Sequence, residues 1–173
     1  MQDVLKHLQV HIPFDQLFQK HLGKVLRERI NPEIAFNCAI LERFTDSEYA
    51  GLAKKLCGPD RSVTFHGPFM DLRPGAVDPE IRKVSLRRFS RLFEIAVHFR
   101  PRSIVFHPSY DEKYYASSGR RWLENSIETW SQLLPLAERL DTRIALENVY
   151  EPNPDWIERL LEALPPDRVG FCF

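Results

Sequence analysis

With 173 residues, 43% of them hydrophobic and 28% charged, the chain is long enough to bury one sizeable core and too apolar to stay disordered. Its 24 Lys and Arg balance 24 Asp and Glu, so no global field draws it to nucleic acid or to an anionic membrane surface. No stretch approaches the roughly 18 apolar residues of a membrane span, and the N-terminal residues lack an apolar leader core, so a cytoplasmic location is expected. Cys38, Cys57 and Cys172 are odd in number and far apart, which predicts reduced, mostly packed thiols.

The first predicted strand, residues 8–11, reads Leu8-Gln9-Val10-His11, and Asp15 then opens a helical pattern through Leu17, Phe18, Leu22, Val25 and Leu26. The second strand is Ile34-Ala35-Phe36-Asn37, followed by a helix opening at Asp46 or Ser47 and carrying Leu52, Ala53 and Leu56. The third, Val63-Thr64-Phe65-His66, leads into a loop over residues 70–75. Asp78-Pro79-Glu80 then starts a long helix, because an Asp cap and a Pro at the first helical position satisfy the geometry of a helix N-terminus. The fourth strand is Ile104-Val105-Phe106-His107, with a loop at 109–115 and a helix at 122–140. Ile144-Ala145-Leu146-Glu147 is the fifth, and Asn153-Pro154-Asp155 begins the next helix. Val169-Gly170-Phe171-Cys172-Phe173 is a sixth strand.

Side chains alternate across a strand, so the runs share a pattern: one face is large and apolar (Leu8/Val10, Ile34/Phe36, Val63/Phe65, Ile104/Phe106, Ile144/Leu146), the other small or polar and ending in His11, Asn37, His66, His107 or Glu147. Helical crossovers make the strands parallel. An open doubly wound sheet needs apolar residues on both faces of its central strands, whereas a barrel with helices outside needs them on one. The predicted fold is therefore α/β: an incomplete (β/α)8 TIM barrel, with about six parallel strands, helices outside, and the polar strand ends turned inward at the C-terminal mouth. Residues 1–173 are expected to form a single partial-barrel domain lacking the last two βα units, with the next inward position falling at 174.

In their order, Phe65-His66-Gly67-Pro68-Phe69, Phe106-His107-Pro108, Leu146-Glu147-Asn148-Val149-Tyr150-Glu151 and Val169-Gly170-Phe171-Cys172-Phe173, together with Val10-His11-Ile12-Pro13-Phe14, resemble the xylose-isomerase-like TIM barrel superfamily. That group includes sugar-phosphate isomerases and epimerases as well as apurinic endonucleases. The resemblance implies metal ligation by His66, His107 and Glu147, with Glu147 also a catalytic base in the epimerase-like branch. It further implies ligands on later strands, beginning with an Asp-Thr-x-His run that these 173 residues do not contain, so the chain by itself is not expected to turn over substrate. Spacing alone leaves open whether the three residues hold an ion or form a hydrogen-bonded polar rim. Imidazole and carboxylate at about 2.0 to 2.2 Å suit zinc, and the mixed set also suits manganese.

The function implied is divalent-metal-assisted proton transfer next to the carbonyl of a small sugar or related substrate. An apurinic-endonuclease-like zinc phosphodiesterase is the alternative, against which the neutral charge balance weighs. A non-catalytic barrel that binds a ligand or partner is the third reading, and unpaired edge strands offer a route to a homodimer. His11, Asn37, Arg73 and Tyr110 are candidate substrate-binding residues: the first two as strand-end polar groups, Arg73 as an anion partner, and Tyr110 as part of an apolar wall. Glu151 is read as a solvated charge, Asn148 as a loop-fixing residue, His7, His21 and His98 as surface or packing residues, and Trp122, Trp130 and Trp156 as core.

Overall fold

The computed structural model describes residues 8–58, 61–149, 151 and 153–172. Six strands form one sheet: β1 (Val10–Pro13), β2 (Pro32–Ala35), β3 (Thr64–His66), β4 (Ser103–Phe106), β5 (Arg143–Glu147) and β6 (Val169–Cys172). Their order in space is β1-β2-β3-β4-β5-β6, and each adjacent pair is parallel. This order decides the architecture. Parallel crossovers are right-handed, so a sheet that always advances in one direction puts every helix on the same side, while a doubly wound sheet must reverse. The structure is thus an arc of a (β/α)8 barrel with its helices outside.

The outward residues Ile34, Phe65, Ile104, Phe106, Ile144, Leu146 and Val169 are buried against those helices, whereas Leu8 and Val10, expected on the same apolar face, are exposed at the β1 edge. The helices are α1 (Phe14–Gln16), α2 (Leu22–Arg27), α3 (Cys38–Arg43), α4 (Asp46–Leu56), α5 (Pro79–Phe99), α6 (Glu112–Tyr115), α7 (Gly119–Leu140) and α8 (Asp155–Glu162). Between α1 and α2 the helix widens to a π-helical turn at Leu17–His21. Asp78 caps α5 by accepting from the Glu80 amide at 2.8 Å, Pro79 follows it, and the helix ends at Arg100 in the left-handed region. Trp122 and Trp130 are fully buried on α7 and fill the space between helices and sheet, Trp130 stacking on Phe89 of α5. Trp156 is partly buried and packs against the same core.

Four local readings are corrected. The cap of α4 is Thr45, one residue before the expected start, in a capping box with Glu48. A short helix, α3, follows β2 where none was expected, and the 109–115 stretch is not all loop, since it contains α6. The thiols are free, but Cys57 is exposed rather than packed. His98 pairs with Asp46 at 2.9 Å on the surface, and His21 lies exposed in the π-helical turn. His7, Tyr150 and Phe173 lie outside the described residues. Among the described residues, no helix is long and apolar enough to cross a membrane.

Candidate metal centre

His66 ends β3, His107 follows β4 directly, and Glu147 ends β5, so three neighbouring strands deliver the three side chains to one point. His107 Nε2 lies 3.0 Å from Glu147 Oε2 and 3.3 Å from His66 Nε2, and His66 Nε2 lies 3.4 Å from Glu147 Oε2. A tetrahedral ion with ligands at about 2.0 to 2.2 Å has donor to donor edges of about 3.3 to 3.6 Å. The observed triangle is close to one face of that tetrahedron. His66 and His107 are buried, while Glu147 is partly exposed, so one side of the triangle faces the barrel mouth.

The tautomer of His66 follows from its second nitrogen. Nδ1 lies 3.1 Å from the Gly67 carbonyl oxygen, which can only accept, so Nδ1 carries the proton and Nε2 keeps its lone pair. Gly67 holds that carbonyl in place: its amide donates to the Val105 carbonyl at 2.8 Å, and a Cβ there would meet the Phe106 ring at 2.5 Å. Phe69 stacks on His107 with ring centroids 4.4 Å apart, fixing the second imidazole in orientation. Burial, reinforced by the neighbouring His66, holds the His107 pKa below the ordinary imidazole value against the opposite pull of Glu147. A neutral imidazole is the form a cation needs.

A residue passed over in the sequence joins the site. Glu33 of β2 lies on the inward face with His11, and the donor atoms of His11, Glu33 and His66 lie within 4.8 Å of one another. Burial raises the Glu33 carboxyl pKa, against the lowering effects of His66 and His11, with Glu147 adding a further upward push. The alternation that placed Ala35 inward also places Glu33 inward, two residues earlier. That parity was the available signal.

Asn37 does not join. Strand β2 stops at Ala35, and the Asn37 side chain caps α3 by accepting from the Ile40 amide at 2.9 Å, so the expectation of a strand-end site residue is corrected. Tyr110 is also corrected as a wall residue: it is 3% exposed and packed among Tyr115, Trp122 and Trp156. Arg73 lies over the Tyr114 ring at 4.4 Å, in the loop after β3. Glu151 is not a solvated charge. It is 7% exposed and accepts from the Tyr110 amide at 3.1 Å and the Val149 amide at 3.2 Å, tying the loops after β4 and β5 together. Asn148 donates its backbone N–H to the Cys172 carbonyl at 3.3 Å, extending the β5 to β6 ladder.

A one-directional parallel arc with its helices outside and polar side chains gathered at its C-terminal mouth defines the class of TIM barrels. The family model for the xylose isomerase-like TIM barrel matches residues 33–173, and the chain belongs to that family. Among curated relatives, the MJ1311 protein of Methanocaldococcus jannaschii is 28% identical over 119 residues, which is 64% of this chain and 40% of that protein. Among solved structures, the TTHB071 protein of Thermus thermophilus, soaked with ZnCl2, superposes with a TM-score of 0.81 at 25% identity, covering 95% of this chain and 65% of that one. A D-tagatose 3-epimerase-like protein superposes at 0.73 with 19% identity, covering 95% and 64%. The chain thus spans less than two thirds of the length of each of these relatives.

Proposed function

We propose that this chain carries the metal-binding half of a sugar isomerase or epimerase site, in which a divalent ion, zinc or manganese, is held by His66, His107 and Glu147. The observation that carries the reading is the convergence of His66 Nε2, His107 Nε2 and Glu147 Oε2 within 3.0 to 3.4 Å of each other at the mouth of the arc. The epimerase-like structural neighbour and the zinc-soaked relative support it. When bound, the ion would act as a Lewis acid toward a substrate carbonyl.

The chain's own groups account for the rest of the half-site. The His66 tautomer, fixed by Gly67, presents a lone pair without rearrangement. Glu147 has Oε2 on the two imidazoles and is partly exposed, which supports a base role for its other oxygen toward the carbon next to a substrate carbonyl. The remaining βα units of an eight-stranded barrel would contribute the second carboxylate and further ligands. A small polyhydroxylated substrate fits this chemistry.

Metal titration of the purified chain, read by elemental analysis and chelator competition, tests the reading. Zinc or manganese is expected to bind at one ion per chain, with binding abolished by His66→Ala and weakened at least about tenfold by Glu147→Ala. Equal affinity in the wild type and both variants would remove the proposed centre. Because this half-site is not expected to turn over, calorimetric binding of a ketose against binding of an abasic DNA duplex to the metal-loaded chain separates the sugar from the phosphodiester reading.

A further inference from the structure

The strand register places His66 between two pairs of donors. Across the sheet it stands level with Ala35 on β2 and Val105 on β4. Two residues toward the N-terminal end, about 6.6 Å along the strands, His11 of β1 and Glu33 of β2 stand level with each other and with Thr64. Two residues the other way, His107 comes level with Glu147, as the pairing of Val105 with Ala145 requires. Each pair, with His66, makes two imidazoles and one carboxylate. The two groups, His11 with Glu33 and His66, and His66 with His107 and Glu147, each keep all their donor atoms within 4.8 Å.

A neutral imidazole has one lone pair, and Nδ1 of His66 is committed to the Gly67 carbonyl. Only Nε2 is left, so His66 can serve one of the two groups at a time. The groups also differ in access: His11 is exposed and Glu33 half-buried, whereas His107 is buried.

We propose that His11 and Glu33 form, with His66, a second and outer divalent-cation position, alternative to the inner position at His107 and Glu147, so that a single ion exchanges between two donor sets around the shared His66. This rests on the metal reading given above. Its His11 is exposed where His107 is buried, and along the strands it lies on the N-terminal side of His66, away from the C-terminal mouth.

The test is a cycle of Zn(II) and Co(II) titrations on the chain, using chelator competition for affinity and the visible absorption of Co(II) for the donor set, with circular dichroism to confirm folding. The variants are His11→Ala, Glu33→Gln, Glu147→Ala, His66→Ala and the double variants of Glu147→Ala with each of the first two. Expected are one ion in the wild type, a change of less than about threefold for His11→Ala alone, and retained but at least about tenfold weaker binding with an altered Co(II) spectrum in Glu147→Ala. Adding His11→Ala or Glu33→Gln to Glu147→Ala should then cost at least about another tenfold, reaching the level of His66→Ala. Glu33→Gln keeps the shape of a half-buried side chain and His11 is exposed, so both second changes leave the core untouched. The outer position is overturned if the double variants bind as Glu147→Ala does, if Glu147→Ala alone already falls to the His66→Ala level, or if the wild type holds two ions at once. Those outcomes leave the inner centre standing. No binding in the wild type sinks both.

Discussion

Tyr49 of α4 is fully buried, and its hydroxyl donates to the Ile40 carbonyl of α3 at 2.6 Å. Burial pushes its pKa up to about 12, from an ordinary value near 10. Because the folded pKa lies above the unfolded one, the protonated ring contributes stability in full below about pH 10, and the contribution is lost as pH rises from 10 toward 12. Tyr49→Phe is expected to lower stability by about 1 to 3 kcal/mol at neutral pH, by leaving the Ile40 carbonyl without its donor, and to flatten the alkaline loss. Urea midpoints measured from pH 8 to 12 check both parts. At this scale, His66, His107 and Glu147 were legible because each closes an apolar run on the same parity. Glu33 was not, because it comes before the apolar pair of its strand rather than after it, and a lone charge there reads like the end of a turn. Asn37 misled for the complementary reason: an asparagine after a strand can face a lumen or cap a helix, and only the presence of α3 decides.

Elements were easier to read than their edges. The long helix α5 carries its start in Asp78-Pro79-Glu80 and its buried stripe in Phe89, Leu92, Phe93 and Ala96, so sequence and structure coincide there. Helix α3 has only six residues, too few for a periodic stripe to stand out. For α4 the decisive group was one residue upstream: Thr45 Oγ1 accepts from the Glu48 amide at 3.3 Å while Glu48 Oε2 accepts from the Thr45 amide at 2.8 Å. This contact also holds the Glu48 carboxyl below its ordinary pKa, with the backbone bond the larger cause. Thr45→Ala is expected to cost about 1 kcal/mol by removing the cap, with no change in metal affinity, since α4 lies outside the sheet. Chemical denaturation beside a metal titration measures the two effects separately.

For the whole molecule, the six strands follow one another around the arc without a reversal, so every candidate donor arrives on β1 to β5 in the order of the chain. His66 and Glu147 are 81 residues apart in sequence. An ion held by the folded form alone shifts the folding equilibrium by RT ln(1 + [L]/Kd), about 2.7 kcal/mol at a hundredfold excess over Kd. The thermal midpoint should therefore climb with the logarithm of zinc concentration in the wild type and stay flat in His66→Ala, a comparison calorimetry makes directly.

The carboxylate of Glu151 reaches both the Tyr110 and the Val149 amides, and so stitches two rim segments into a common piece. Two separate flaps beside the mouth would each have to be immobilised when a guest molecule settles there. Were a guest to bind at the mouth, a rim joined in advance would leave less ordering for it to impose on this side of the opening, and more of its contact energy would go into holding it.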